Sequence, residues 1–208
     1  MLDVVDTDNV KIGVDTRRRV HTLGLWHRAV HILIARVVKV QAPGHGRGED
    51  DQVQLLLQQR SADKSLAPLK WDLSCAEHLS CDEQYLQAAV RGVHEELGLN
   101  ISETSLHVLE PVHAHSLRYP EVDMIDNEFV CCFGTLLRLD NEPRHDAVEV
   151  ESIKWIPIEE LHSQLSDCPD VFTPWFLYML RKGIVSWDAH LQQLAYTVST
   201  PQPCAQSS

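Results

Sequence analysis

The sequence contains no apolar run that approaches the roughly 20 residues needed to cross a bilayer. Its first residues, 1–6, also lack the basic region and apolar stretch of a secretory signal. The six cysteines form no CxxC pair and no disulfide framework, which favours reduced thiols in the cytoplasm. A formal net charge of −12 argues against a nucleic-acid surface, which normally needs a basic patch. Neither a membrane nor nucleic acid is therefore expected as a partner.

The chain has enough hydrophobic residues, 44% of its 208, to form the core of one domain with additional segments at its termini. Strand-like apolar runs alternate with helical patterns, which predicts an α+β domain of the α/β/α sandwich type. We expect an N-terminal strand extension and arm over residues 1–26 and the main domain over residues 27–183. A C-terminal helix and disordered tail are expected over residues 184–208.

Residues 83–98 are the most informative segment. Apolar residues recur there at three- and four-residue steps, which predicts an amphipathic helix that ends at Gly98 in a left-handed turn. Glu95 and Glu96 place two carboxylates at one end of this helix, with Glu83 reachable from an earlier turn. Oxygen ligands grouped in this way suit Mg²⁺ or Mn²⁺. Glu95 and Glu96 alone would more often be a solvated acidic face, but the surrounding pattern decides against that interpretation.

That pattern is E-x7-R-x-U-x-E-E-x-G-U, where U is an aliphatic residue. It is matched by Glu83, Arg91, Val93, Glu95, Glu96, Gly98 and Leu99. It resembles the Nudix box of diphosphate-cleaving hydrolases, a strand-loop-helix-loop unit that holds a divalent metal against a diphosphate. The resemblance implies a Nudix fold with a mixed β-sheet between helices and Mg²⁺ or Mn²⁺ as the cofactor. It also implies that Glu83, Glu95 and Glu96 bind the metal, with Glu95 and Glu96 also taking part in catalysis.

Two positions depart from the box. Its opening Gly is Glu77 here, and the Glu that usually follows the Arg is Gly92. In many Nudix hydrolases that Glu helps to bind metal or to activate water, so the identity of the base is open. Glu128 is the expected base, because Nudix hydrolases often take a distal Glu from this region for metal binding or water activation.

A narrower resemblance extends over most of the chain, roughly from His21 to Leu180. The segment 17–31 is rich in His and Arg before an apolar strand, and it resembles the Nudix branch that contains type I isopentenyl-diphosphate isomerase. Three His and two acidic residues hold a metal in that isomerase. The positions that match them here are His21, His27, His78, Asp126 and Glu128. Nitrogen and oxygen donors in this number suit an octahedral site with one open position. Structural roles are expected for His31, His94, His107, His113, His115 and His145.

The same branch implies a set of cations for the diphosphate. Arg60 and Lys64 repeat the R-x3-K spacing that contacts the diphosphate in the isomerase, and Arg17 stands four residues before His21, as a Lys does there. A guanidinium and an ammonium suit two adjacent phosphates, because one offers a bidentate fork and the other a point charge. The alternative for Arg60 and Lys64 is a pair of solvated loop charges.

The largest departure from the isomerase is at position 76. The isomerase uses a Cys two residues before the third His to move a proton at carbon, and Ala76 stands there instead. Neighbouring side chains of a strand point to opposite faces, so Cys75 cannot simply replace it. We therefore expect a metal-dependent hydrolase for a small-molecule diphosphate of the isoprenoid or nucleoside type. Two alternatives remain open, an isomerase that uses Cys75 or another acid and a diphosphate-binding protein without turnover. The oligomeric state is not predicted.

Overall fold

The computed structural model describes residues 1–41, 49–138 and 141–181, so the predicted C-terminal helix and tail at 184–208 lie outside the described residues. The strands are β1 (Leu2–Val5), β2 (Lys11–Asp15), β3 (Trp26–Gln41), β4 (Glu49–Arg60), β5 (Trp71–Asp72), β6 (Cys75–His78), β7 (His107–Tyr119), β8 (Met124–Leu136) and β9 (Val150–Pro157). The helices are α1 (Arg17–Leu23), α2 (Tyr85–Leu97) and α3 (Ile158–Asp167), and residues 174–181 are also helical. Among these helices, none has both the length and the apolar character required to span a bilayer.

Seven strands form one mixed sheet in the order β5-β4-β3-β8-β7, with β6 paired to β3 and β9 paired to β4. Strands β3 and β8 run parallel, and the other pairs in this sheet are antiparallel. Strands β1 and β2 form a separate antiparallel hairpin. The apolar runs at 30–40 and 53–59, which predict an antiparallel pair, lie in β3 and β4 and are paired in that way.

The sheet lies between two helical layers. On one face, Val30, Ile32 and Ile34 of β3 pack in a buried cluster that includes Ala89 and Val93 of α2. On the other face, alternate residues of the same strand pack in a second cluster, together with α3 and the helical residues 174–181. Side chains of a strand alternate between its faces, which is why one strand serves both clusters. The predicted α/β/α arrangement is confirmed.

Helix α2 has the ends that its sequence predicts. Gln84 and Gln87 form a reciprocal capping box at its start, and Gly98 follows it with a φ of 62°. A left-handed φ favours glycine because a Cβ at this position would be strained. Gly92 is buried in the helix interior and faces β6.

The N-terminal arm contains a helix that the sequence patterns do not predict. Thr16 caps α1 by accepting a hydrogen bond from the backbone N–H of Arg19, and Gly24 ends the helix with a φ of 62°. Val20 is fully buried and packs with Leu2 and Val4 of β1. Helix α1 is short and carries three consecutive arginines, so it lacks the repeated apolar face on which a helix prediction depends.

Candidate active site

The three histidines predicted as metal ligands come together at one end of the sheet. His21 comes from α1, His27 from β3 and His78 from β6, and their ring centroids lie 4.9 to 5.0 Å apart. The Oδ1 atom of Asp126 lies 3.5 Å from Nε2 of both His21 and His27. Glu128 completes the group, with Oε1 at 3.1 Å from His78 Nε2 and 3.5 Å from His27 Nε2. We call these five residues the histidine cluster.

Backbone contacts orient two of the imidazoles. Nδ1 of His21 lies 2.7 Å from the carbonyl oxygen of Arg17, and Nδ1 of His27 lies 3.1 Å from that of Leu25. When Nδ1 carries the proton and donates a hydrogen bond to the carbonyl oxygen, the Nε2 lone pair is free to bind a metal. The Nε2 atoms of both rings then point at Asp126.

The histidine cluster has the donor set of a metal site. Nε2 of His27, Nε2 of His78 and Oδ1 of Asp126 are buried and make no hydrogen bond of good geometry to any described residue, although Glu128 Oε1 lies 3.1 Å from His78 Nε2. One ligand atom from each of His21, His27, His78 and Asp126 can be chosen so that all lie within 4.8 Å of one another. Buried polar atoms left without partners are costly, and a divalent cation would satisfy all of them. These residues therefore fit the divalent metal that the resemblance implies.

The pKa values of the two carboxylates of the cluster are shifted in opposite directions. Burial, followed by the nearby charge of Glu128, raises the pKa of Asp126 to about 8. Burial alone would raise the pKa of Glu128 as well, but His27 and His78 beside it hold that pKa below its usual range. Two carboxylates packed this closely favour one negative charge between them unless a cation is present.

The cluster opens onto a cavity of about 530 Å³. A second cavity of about 340 Å³ lies next to it and is lined by Glu95 and Glu96 of α2. The residues that line both cavities are Arg17, Arg60, Lys64, Ala76 and Glu77. The three cations predicted to bind substrate are thus brought together at the boundary between the two groups of predicted metal ligands.

Glu96 is the best-defined member of the second cavity. It is 9% exposed, and its Oε2 atom has no hydrogen-bond partner among the described residues. Burial, followed by the charge of Glu77, raises the pKa of Glu96 to about 8. Glu96 lines a polar cavity, and a buried carboxylate oxygen left without a donor fits a divalent cation.

The other box carboxylates are held by one guanidinium. Arg91 donates to both oxygens of Glu83 at 2.8 Å and to Glu95 Oε2 at 3.0 Å. Glu83 also accepts a hydrogen bond from the backbone N–H of Ser80 and lines neither cavity. Glu95 is exposed and lines the second cavity. The structure therefore brings Glu95 and Glu96 to the same cavity, whereas Glu83 faces Arg91.

The predicted phosphate-binding residues are anchored by carboxylates. Arg60 Nη1 lies 3.5 Å from Oδ2 of the fully buried Asp72, and Arg60 Nε donates to the Leu66 carbonyl oxygen. Lys64 forms an ion pair with Glu149 at the rim of the second cavity. Asp72 positions the guanidinium of Arg60 in the absence of any ligand, whereas Lys64 must exchange Glu149 for an incoming phosphate.

The alternation predicted around position 76 is present in β6. Cys75 is fully buried in the cluster beneath α2, while Ala76 lines both cavities. Directly across the strand pair from Ala76 lies His31, which also lines the larger cavity. The structural role expected for His31 stays a prediction, but the residue lies at the larger cavity. Its position four residues after His27, on the same strand face, is a signal that could have predicted this location.

Comparison with known proteins identifies the family and the fold. The NUDIX domain family model matches residues 46–176. An isopentenyl-diphosphate Delta-isomerase from Serratia proteamaculans is 32% identical over 184 residues, which cover 87% of this chain and 89% of that protein. Nudix hydrolase 3 from Arabidopsis thaliana is 30% identical over 83% of this chain, which corresponds to 21% of that protein. The crystal structure of DR0079 from Deinococcus radiodurans has the same fold, with a TM-score of 0.60 and 20% identity over 87% of this chain and 97% of that one. The chain belongs to the Nudix family.

Proposed function

We propose that this protein is a metal-dependent Nudix hydrolase that cleaves the phosphoanhydride bond of a small-molecule diphosphate. The observation that carries the proposal is the arrangement of β6. Ala76 presents no acid to the larger cavity, and Cys75 is enclosed beneath α2. Glu96 meanwhile offers an unpartnered carboxylate oxygen beside the predicted phosphate-binding cations. These features suit hydrolysis, which needs metal and phosphate ligands, better than proton transfer at carbon, which needs an acid/base pair.

In this proposal Glu95 and Glu96 hold Mg²⁺ or Mn²⁺, and the histidine cluster can hold a second divalent ion. A divalent ion bound by Glu95 and Glu96 would supply Lewis-acid stabilisation of the charge on the phosphate oxygens. Arg60 and Lys64 bind the phosphates and neutralise the charge that develops on the leaving group. Water attacks phosphorus in line and gives up a proton to the carboxylate of Glu128, the expected base, which lines the larger cavity. The bond between phosphorus and the bridging oxygen breaks, and the leaving group departs as a phosphate.

The organic part of the substrate would occupy the larger cavity. Leu66, Met124 and Trp175 line this cavity together with His31 and Ala76. A cavity of about 530 Å³ lies within the usual range for small-molecule sites. Isoprenoid diphosphates and nucleoside diphosphate derivatives are both candidates for this space.

Isopentenyl-diphosphate isomerisation is the second candidate function. It is favoured by the 32% identity to the Serratia proteamaculans isomerase and by the assembled histidine cluster. Against it, the side chain at position 76 is a methyl group, so one of the two acid/base groups required for proton transfer at an alkene is missing. Cys75 would have to leave the core to supply it.

A substrate panel with Mg²⁺ in deuterated water distinguishes the two functions. We expect phosphate release from at least one diphosphate. Isopentenyl diphosphate should give no dimethylallyl product and should incorporate no deuterium. Cys75→Ala should retain phosphate release within about threefold, because this thiol faces the core, where its truncation leaves only a small void. The readouts are phosphate assay and NMR on the same samples. Deuterium incorporation that disappears in Cys75→Ala would instead establish the isomerase.

The phosphate-binding role of the two cations is tested by Arg60→Ala and Lys64→Ala. Each charge-assisted contact to phosphate contributes on the order of 1.5–3 kcal/mol, so kcat/KM should fall roughly tenfold to a hundredfold in each variant. The loss should be similar for every diphosphate accepted, since these groups contact phosphate and not the organic part. Arg118→Ala is the matched control, because Arg118 is exposed and lines neither cavity. Unchanged kcat/KM in both variants would show that the pair is only a solvated charge group.

A further inference from the structure

The two departures from the Nudix box are in direct contact. A Cβ placed on Gly92 would lie 3.0 Å from Cβ of Glu77 and 3.3 Å from its Cγ. The residue that replaces the opening Gly therefore occupies the space that a side chain at position 92 would need. Because residue 92 has no side chain, β6 can approach α2 this closely, and the side chain of Glu77 occupies the space beside Gly92.

From this contact we propose that Glu77 supplies the carboxylate that position 92 lacks, so that the third metal-binding carboxylate of the site has moved from the helix to the strand packed on it. The proposal rests on the proposed function only in taking the second cavity to be a metal site. It assigns to Glu77, and not to Glu128 or Glu83, the metal-binding part that the Glu after the Arg plays in many Nudix hydrolases, and it leaves water activation with Glu128.

Helix geometry supports the exchange. Positions 92 and 96 are separated by four residues and so lie on the same face of α2. A Glu at position 92 would direct its carboxylate along that face towards Glu96. The side chain of Glu77 begins 3.0 Å from that starting point and, like Glu96, lines the second cavity. Both routes bring a carboxylate beside Glu96.

Glu77 retains the capacity to bind an ion. Its Oε1 accepts a hydrogen bond from the backbone N–H of His78 at 2.8 Å, and its Oε2 lies 3.1 Å from Arg91 Nη1. A carboxylate has about four lone-pair sites, so each oxygen keeps one for a metal. The side chain is 20% exposed and lines both cavities. Glu96, with its buried and unpartnered Oε2, is a second carboxylate that lines the same cavity.

The other acidic candidates are placed less well. Glu83 lines neither cavity, and both of its carboxylate oxygens accept hydrogen bonds from Arg91. Glu128 belongs to the histidine cluster, where Oε1 lies within 3.5 Å of two imidazoles. Glu77 is the carboxylate that lines both cavities within the described residues.

The test uses Mn²⁺ binding, measured by electron paramagnetic resonance, on the full chain. The binding component that is lost in Glu96→Gln identifies the second-cavity site. Glu77→Gln keeps the size and one acceptor of the side chain but removes its charge, and we expect it to weaken that component by tenfold or more. Glu77→Gly should weaken it at least as much. Combining Glu77→Gly with Gly92→Glu returns the carboxylate to the helix and should restore the affinity to within about threefold of the wild type.

Gly92→Glu alone completes the series. With Glu77 still present, the added side chain is crowded by Glu77 and by Cys75 Sγ at 3.1 Å. The melting temperature of the Gly92→Glu variant should therefore be lower than that of the double variant. Wild-type Mn²⁺ affinity in Glu77→Gln would overturn the proposal, as would a folded double variant that binds no better than Glu77→Gly. If the double variant does not fold, Glu77→Gln alone decides. Because these readouts need no substrate, failure of every diphosphate to be hydrolysed would refute the proposed function and leave this test valid.

Discussion

Glu96→Gln is expected to lower kcat for diphosphate hydrolysis by about two orders of magnitude or more, the scale of losing one electrostatic contact to the transition state. The carboxylate of Glu96 is 9% exposed and has an unpartnered Oε2, so a neutral amide would remove a metal ligand without enlarging the cavity. Steady-state phosphate release at saturating Mg²⁺ measures the effect. Glu103→Gln is a suitable control, because Glu103 is exposed and lies outside both metal-binding cavities.

Glu96→Gln should lower kcat but raise the thermal stability of the metal-free protein at high pH. Burial raises the pKa of Glu96 to about 8 from an ordinary value of 4.5, so the folded protein holds the proton that the unfolded chain releases. Stability of the metal-free wild type therefore falls as pH rises between these values, and Gln removes this penalty. At pH 9 without metal, Glu96→Gln should melt about 2 °C or more above the wild type. Saturating Mg²⁺ should reverse that order. Near wild-type turnover in Glu96→Gln would remove Glu96 from the proposed metal site.

Asp72→Asn is expected to lower the free energy of unfolding by about 3 kcal/mol or more, because it breaks a buried charge pair and its hydrogen bonds. Asp72 is fully buried, and its carboxylate accepts hydrogen bonds from Thr173 Oγ1 and Trp175 Nε1, both at 2.9 Å. Arg60 lies 3.5 Å away on the cavity side. An amide would direct an N–H₂ group towards one of these donors. Urea denaturation measures the loss, which corresponds to about 6–12 °C in melting temperature for a domain of this size.

Thr173→Val is the matched control for Asp72→Asn, since it removes one neutral hydrogen bond to the same carboxylate and should cost only about 1 kcal/mol. Asp72→Asn should also lower kcat/KM, because Arg60 loses the charge that positions it. If Asp72→Asn lowers the free energy of unfolding no more than Thr173→Val does, the ion pair between Asp72 and Arg60 does not contribute to stability.

Features that depend on local spacing were predictable from the sequence. The apolar period of residues 83–98 predicted α2, and Gly98 marked its end, because helix periodicity and capping act within a few residues. The alternation at Cys75 and Ala76 was predictable for the same reason. The histidine cluster could be assembled only through family resemblance, since its members come from α1, β3, β6 and β8.

Features that depend on the distance between elements could not be predicted. Nothing in the sequence shows that Glu77 and Gly92 touch, because the contact is set by how closely β6 packs on α2. Taken separately, each position is only a missing consensus residue. The role of Glu83 was likewise hidden, since the same Glu can bind a metal or an Arg depending on where Arg91 lies.

The parallel pairing of β3 with β8 has a consequence for how this protein folds. His27 and Glu128 are partners in that register, although they are far apart in the chain. The histidine cluster therefore cannot form until a long loop closes, which is a slow, non-local step. An ion bound there would stabilise only the completed fold and would not assist an early folding intermediate. Bound metal would consequently slow unfolding while leaving the rate of folding nearly unchanged.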